Sequence, residues 1–353
     1  MRRFTLGALG AAVLVLVLAA CGSSSSSSPS SSPSASGSST PSSTTASGGS
    51  FKVGLVTDIG GLNDKGFNHL AYTGLLLAEH QLGIGGTVLQ STSGADYVPN
   101  LTKLAQGGNK LVISVGFLMA QATAQVAKQF PNVHFAIIDN PADMAPDNLK
   151  NIEGLLFREQ QAGYLVGYLA GLYSKAHGYK TISSVGGQKI PPVDHYIAGY
   201  QAGAKAADPG IKTLNGYSQD FVAQDKCKNL GLNQIQQGSK VVFQVAGACG
   251  LGALSAAQAQ GAQGIGVDAD QAYLGSYILT SAEKRVDLAV FNAIKAAMGG
   301  TFTGAANVFN DATNGGIGYG KIGSAGTQFA AQIAKVFGEI KSGQIANIPS
   351  TVP

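Results

Sequence analysis

Three aspartates stand where short apolar runs stop. Asp58 follows Val53-Gly54-Leu55-Val56-Thr57, Asp139 closes Phe135-Ala136-Ile137-Ile138, and Asp268 closes Ile265-Gly266-Val267. Lys284 comes shortly after a fourth such run, Ile278-Leu279-Thr280-Ser281. The segment Asn63-Asp64-Lys65-Gly66-Phe67-Asn68 opens a helical stretch whose first amides are free for an acceptor, and Gln244 to Gly250, which includes Gly247, ends another run in a glycine-rich turn. Carboxylates accept hydrogen bonds from hydroxyls, an ammonium donates them, and an aromatic face stacks on a flat ring. As a group these residues suit a neutral polyhydroxy ligand carrying a ring. Singly each has an ordinary explanation: Asp64 as a helix cap, Phe67 as core, and Asp139, ahead of Asn140-Pro141, as a turn residue.

Other chemistries find little support. Gly318-Tyr319-Gly320-Lys321-Ile322-Gly323 matches G-x-G-x-x-G, but the residues before it read as a turn and no acid lies about 20 residues on. In a chain with 49 glycines this match is the work of chance. The sequence lacks a P-loop, an H-E-x-x-H pair and a G-x-S-x-G elbow. His69, His80, His134, His177 and His195 are scattered, with neither an i,i+4 pair nor a nearby cysteine to hold a metal. Nothing nominates a nucleophile or an acid–base pair, so we expect a binding protein without metal or cofactor.

The elements that must position these residues alternate. Runs at 51–57, 87–91, 111–115, 135–139 and 152–157 read as strands, separated by helical periodicity at 64–81, 97–107, 118–129 and 159–176. The rhythm restarts with strands at 181–185, 212–217, 241–245, 264–268 and 278–281 between helices at 193–207, 223–236 and 251–260, followed by helices at 285–298 and 325–341. Such alternation means βαβ units and parallel sheets buried on both faces. Two runs of strands, with two groups of polar strand ends, favour two doubly wound lobes over an eight-fold barrel.

The chain has 353 residues, 44% of them apolar and only 12% charged, which excludes disorder of the whole. Its net charge is +4, yet Arg2 and Arg3 precede the first acid, so no nucleic-acid footprint exists. Basic residues, an apolar stretch from Leu6 to Ala20 and the sequence Leu18-Ala19-Ala20-Cys21-Gly22 form a secretory leader. It looks like a bacterial lipobox, with Cys21 lipidated and made the new N-terminus; an ordinary signal peptide or an uncleaved anchor is the alternative. Between Gly22 and Ser50 there are 17 serines among 29 residues and no charge, a disordered tether of roughly 30 Å r.m.s. reach. If the leader is right, Cys227 and Cys249 face an oxidising compartment and most simply pair, the alternative being two free thiols.

Together these segments resemble the basic membrane protein (Bmp) family of bacterial substrate-binding lipoproteins, also called purine nucleoside receptors. The likeness runs from about Phe51 to about Gly323. Its further pieces are Phe157-Arg158-Glu159 leading to Ala162-Gly163-Tyr164-Leu165-Val166-Gly167, then Gly186-Gly187 to Ala198-Gly199-Tyr200-Gln201-Ala202-Gly203, and Ile265 to Gln271 with Lys284-Arg285-Val286-Asp287. The resemblance implies an α/β, type I periplasmic-binding-protein fold: two doubly wound parallel-sheet lobes joined by a hinge, closing on a ligand delivered to an ABC permease. It implies 1–20 as signal peptide and 21–50 as lipidated tether. Lobe 1 would span 51–157 with part of about 285–318, and lobe 2 would span 158–284 with part of about 319–353. The expected ligand is a nucleoside, the alternatives being a receptor for another small solute (a sugar or furanose-like signal) or a surface sensor module of the same fold; for a nucleoside, Phe67 and Asn68 would contact the base and Phe221 would stack opposite. Asp139, Asp268 and Lys284 would take the ribose hydroxyls, with Asp58 and Gly247 nearby. A monomer is expected, touching the membrane only through its lipid. The sequence departs from the family pattern at Gly66, at the Asp139-Asn140-Pro141 turn, in the short stretch 273–279 and in the Cys227/Cys249 pair.

Overall fold

The computed structural model describes residues 51–144 and 149–353; the leader, Cys21 and the serine-rich tether lie outside the described residues. The first sheet is built from β1 (Lys52–Val56), β2 (Gly85–Leu89), β3 (Leu111–Ser114), β4 (His134–Ile138), β5 (Ile152–Phe157) and β11 (Ala306–Asn310). Its strands lie in the order β11-β5-β4-β3-β1-β2 and every pairing is parallel. The second sheet contains β6 (Thr181–Gly186), β7 (Lys212–Tyr217), β8 (Val241–Val245), β9 (Gln263–Asp268), β10 (Ile278–Lys284) and β12 (Ile317–Tyr319). Its order is β12-β10-β9-β8-β6-β7, with only β12 antiparallel. Each lobe therefore repeats one topology, and β4 and β9 hold equivalent places.

Helices cover both faces of each sheet. In the first lobe α1 (Phe67–Leu82) packs with α8 (Val286–Met298) on one face, while α2 (Tyr97–Gln106) and α3 (Ala120–Gln129) cover the other. In the second, α4 (Glu159–Ala176) and α5 (Pro191–Ala207) cover one face and α6 (Gln224–Gln236) and α7 (Gly247–Ala259) the other, with α9 (Ala330–Lys341) against α4. Burial on both faces explains the unbroken apolar strands: Val53, Leu55, Val56, Leu111, Val112 and Ile113 are all fully buried. No helix among the described residues is long and apolar enough to cross a membrane.

The α4–α5 contact is unusually close. A Cβ on Gly163 or Gly167 would lie 2.1 Å from the carbonyl oxygen of Tyr196 or Tyr200, and one on Gly199 or Gly203 would lie 2.1 Å from that of Gln160 or Tyr164. Glycine at four-residue spacing on both helices is what lets the backbones touch. This contact fixes α5, and with it His195 and Tyr196, against the first turn of α4.

The chain crosses between lobes three times: from β5 into α4, from β10 into α8, and from β11 into β12. Several boundaries differ from those read in the sequence. α1 begins at Phe67 rather than 64, because Lys65 takes a left-handed φ of 58° and the Asp64 carboxylate accepts from the amides of Gly66, Asn68 and His69. α7 begins at Gly247 rather than 251, so Cys249 lies in a helical turn and not in a loop. β10 runs through Lys284, which is its last residue and not a residue beyond it. Strand β11 is new, hidden in a Gly/Thr/Asn-rich stretch with Val308 and Phe309 exposed.

Candidate functional site

The carboxyl ends of the strands in both sheets face one cleft with about 640 Å³ of empty space, open mouth included. All eight residues named as ligand-binding line it: Asp58, Phe67, Asn68 and Asp139 from the first lobe, Phe221, Gly247, Asp268 and Lys284 from the second. Ile190, Val193 and Tyr196 at the start of α5 add apolar wall.

Asp139 and Asp268 end the equivalent strands β4 and β9, and both adopt left-handed backbone, φ 67° and 64°. Non-glycine residues rarely do so, Asp and Asn excepted, and the turn aims each carboxylate into the cleft. The Lys284 ammonium meets three carboxylate oxygens, Asp139 Oδ1 at 2.6 Å and Oδ2 at 2.7 Å, and Glu159 Oε1 at 2.9 Å. Its three protons are thereby committed. Phe157 and Phe67 also flank it, with ring centroids at 4.7 and 5.1 Å. Glu159 Oε2 is 3.0 Å from His195 Nδ1, and the Tyr196 hydroxyl donates to Asp268 Oδ1 at 3.1 Å.

Burial dominates the electrostatics. It pushes Asp268 up to about 6 against the attraction of Lys284, and raises Asp139 despite the same ammonium. Burial also works against ionised Glu159, but Lys284 and His195 outweigh it and hold that carboxyl below its usual value. Lys284 loses to burial less than it gains from Asp139, Glu159 and Asp268, so it is held above the usual lysine range. Asp58 rises to about 6 because it is buried, although the Tyr97 hydroxyl and the Ile59 amide donate to its Oδ1.

Asn68 is more occupied than the sequence suggests. Its Oδ1 accepts the Asp58 amide at 2.8 Å and its Nδ2 donates to Asp64 at 3.0 Å, which leaves one N–H for a ligand. Asp64 does act as a helix cap, and it lines the cleft as well. Glu159, His195, Tyr196 and Tyr97 went unselected by sequence reasoning. Tyr196 sits at core periodicity in a helix, Tyr97 shows no motif that separates it from ordinary helix residues, and Glu159 stands in the Phe157-Arg158-Glu159 piece of the family likeness without a role attached to it.

The model of the Bmp family, described as ABC transporter substrate-binding protein, PnrA-like, matches residues 51–342. The chain belongs to this family. Among its relatives, a lipoprotein of Pyrococcus abyssi is 34% identical over 302 residues, covering 82% of this chain and 73% of its own. The ABC transporter nucleoside-binding protein BmpA of Lactococcus lactis is 32% identical over 321 residues, covering 85% and 89%. A solute-binding protein of an ABC transporter system from Aeropyrum pernix superposes with a TM-score of 0.76 at 26% identity, over 85% of this chain and 94% of that one. Bmp-family proteins are substrate-binding proteins of ABC transporters rather than enzymes, a role that implies a small-molecule ligand, a permease partner and a place outside the cytoplasm.

Proposed function

We propose that this Bmp-family chain binds a nucleoside between its lobes and passes it to an ABC permease, working as a lipid-anchored monomer. Residues 1–20 would be the signal peptide, Cys21 the lipidated residue and 22–50 the tether. The observation that carries the reading is the pairing of two carboxylates on left-handed turns with aromatic rings from opposite lobes. Asp139 and Asp268 accept from vicinal sugar hydroxyls, Phe67 and Phe221 cover the two faces of the base, and Asn68 and Asp58 meet its edge. Gly247 opens the first turn of α7 at the cleft wall, and Lys284 steadies Asp139. The name of the Lactococcus lactis relative agrees with this ligand.

Asp58, Asp64, Asp139 and Asp268 line the cleft and Glu159 lies beside it, against one lining ammonium, that of Lys284. A phosphate there would meet like charge, and the amides at the start of α1 are already taken by Asp64, so nucleotides bind poorly. The test is calorimetry on protein unfolded, washed free of carried-over ligand and refolded. Adenosine, guanosine, inosine and uridine are titrated beside ribose and AMP. Binding of at least one nucleoside, with ribose and AMP much weaker, is expected. Binding of ribose alone, or of none, overturns the reading.

A further inference from the structure

Phe221 is presented by a short irregular segment between β7, the edge strand of its sheet, and α6. The segment is held by its own turn: Asp220 Oδ1 accepts from the Val222 amide at 2.8 Å and the Ala223 amide at 3.0 Å. Val222 beside it is 49% exposed. An aromatic wall on an edge loop needs an anchor in the interior of the lobe.

Two contacts fit the ring and its backbone to the neighbouring turns. The ring lies on Gly187, where a Cβ would come within 2.3 Å of Phe221 Cε1, and a Cβ on Gly247 would be 3.4 Å from the Phe221 carbonyl oxygen. That same oxygen accepts from the Cys249 amide at 3.0 Å. Cys249 is joined to Cys227, 22 residues earlier in α6, by a disulfide with Cα atoms 5.6 Å apart, and both residues are fully buried. The Cys249 sulfur also lies 3.0 Å from the Ala223 carbonyl oxygen and 3.5 Å from Ser218 Oγ, at the two ends of the Phe221 segment. One cysteine therefore touches the segment at its start, its middle and its end, and the other ties the following helix to it.

We propose that the Cys227–Cys249 disulfide is a positioning element for ligand binding. It locks the first turns of α6 and α7 together so that Phe221 stands preformed as one wall of the cleft. Its effect passes through Phe221, and this inference rests on the reading of Phe221 as a ligand-stacking residue. Preorganising a wall saves the cost of ordering it on binding.

The experiment compares wild type with the C227S/C249S double variant by hydrogen exchange and by calorimetry with inosine and guanosine. Exchange is expected to rise in residues 216–226 while β6 and β8 stay protected, and Kd is expected to rise about tenfold. Adding Phe221→Ala to the double variant should produce no further loss beyond that of Phe221→Ala alone, since both act on one wall. Unchanged exchange in 216–226, a rise spread evenly over the lobe, or additive losses of affinity would overturn the proposal. If none of adenosine, guanosine, inosine and uridine binds wild type, the ligand reading fails, and the exchange comparison still decides whether the disulfide holds the segment. Should the serine pair fold poorly, wild type before and after a phosphine reductant, with disulfide loss followed by mass, supplies the same comparison.

Discussion

Asp139 and Asp268 each combine a left-handed backbone with a buried carboxyl. Asparagine tolerates the same backbone, so Asp268→Asn removes the charge and keeps the turn. We expect that variant, and Phe67→Ala, to abolish the thermal shift given by a nucleoside, about 2.7 kcal/mol at a hundredfold excess over Kd, while remaining folded. A shift retained by Asp268→Asn would remove that carboxylate from the site. Burial also sets a pH dependence. Asp58 and Asp268 keep their protons up to about 6 in the folded chain, whereas the unfolded chain releases them near 3.9. Between those values the native state binds more protons, so this part of the stability is complete below about pH 4. It is lost as pH rises through 6, on the order of 2–3 kcal/mol for each group. The melting temperature of ligand-free protein should therefore fall between pH 4 and 7 by more than in an Asp58→Asn/Asp268→Asn variant, and equal slopes would contradict the assignment. Lys284→Met leaves Asp139 buried without its cation and Glu159 with His195 alone, and should cost about 3–5 kcal/mol, read from the urea midpoint.

The α4–α5 pair shows how an element can be legible in outline and silent in detail. Both helices and the strands before them follow from periodicity, and the strand-end acids follow from composition, because charge is scarce in this chain. What periodicity does not report is which glycines face a backbone: Gly163, Gly167, Gly199 and Gly203 read as helix-weakening residues, and only the packed structure shows them as points of contact. The same limit hid Glu159, His195 and Tyr196, whose importance lies in partners 36 to 125 residues away in sequence. Strand β11 escaped because its pairing with β5 is supplied by the first lobe and not by its own residues. These glycines make a prediction whose sign is informative. On an exposed helix Gly→Ala stabilises by about 1 kcal/mol, but Gly167→Ala should destabilise by about 1–3 kcal/mol or more, since its methyl meets the Tyr200 carbonyl. A raised melting temperature for Gly167→Ala would show that the helices separate at no cost.

At the scale of the whole molecule, the Asp139–Lys284 pair links the end of β4 in one lobe to the end of β10 in the other, beside two of the three crossings. On the proposed reading, closure of the lobes about those crossings would bring the aromatic walls onto a ligand. Solution scattering should show a smaller radius of gyration when a bound nucleoside is added to stripped protein, and an unchanged radius would exclude a hinge. The three crossings have one more consequence, for the order in which the chain can become itself. The first sheet waits for α8 and β11, and the second for β12, so neither lobe is complete until residues beyond 300 have been made. A chain growing from its N-terminus has no early, self-sufficient half to fold ahead of the other. Both sheets gain their last strands, β11 and β12, within residues 306–319, so the two lobes are completed almost together.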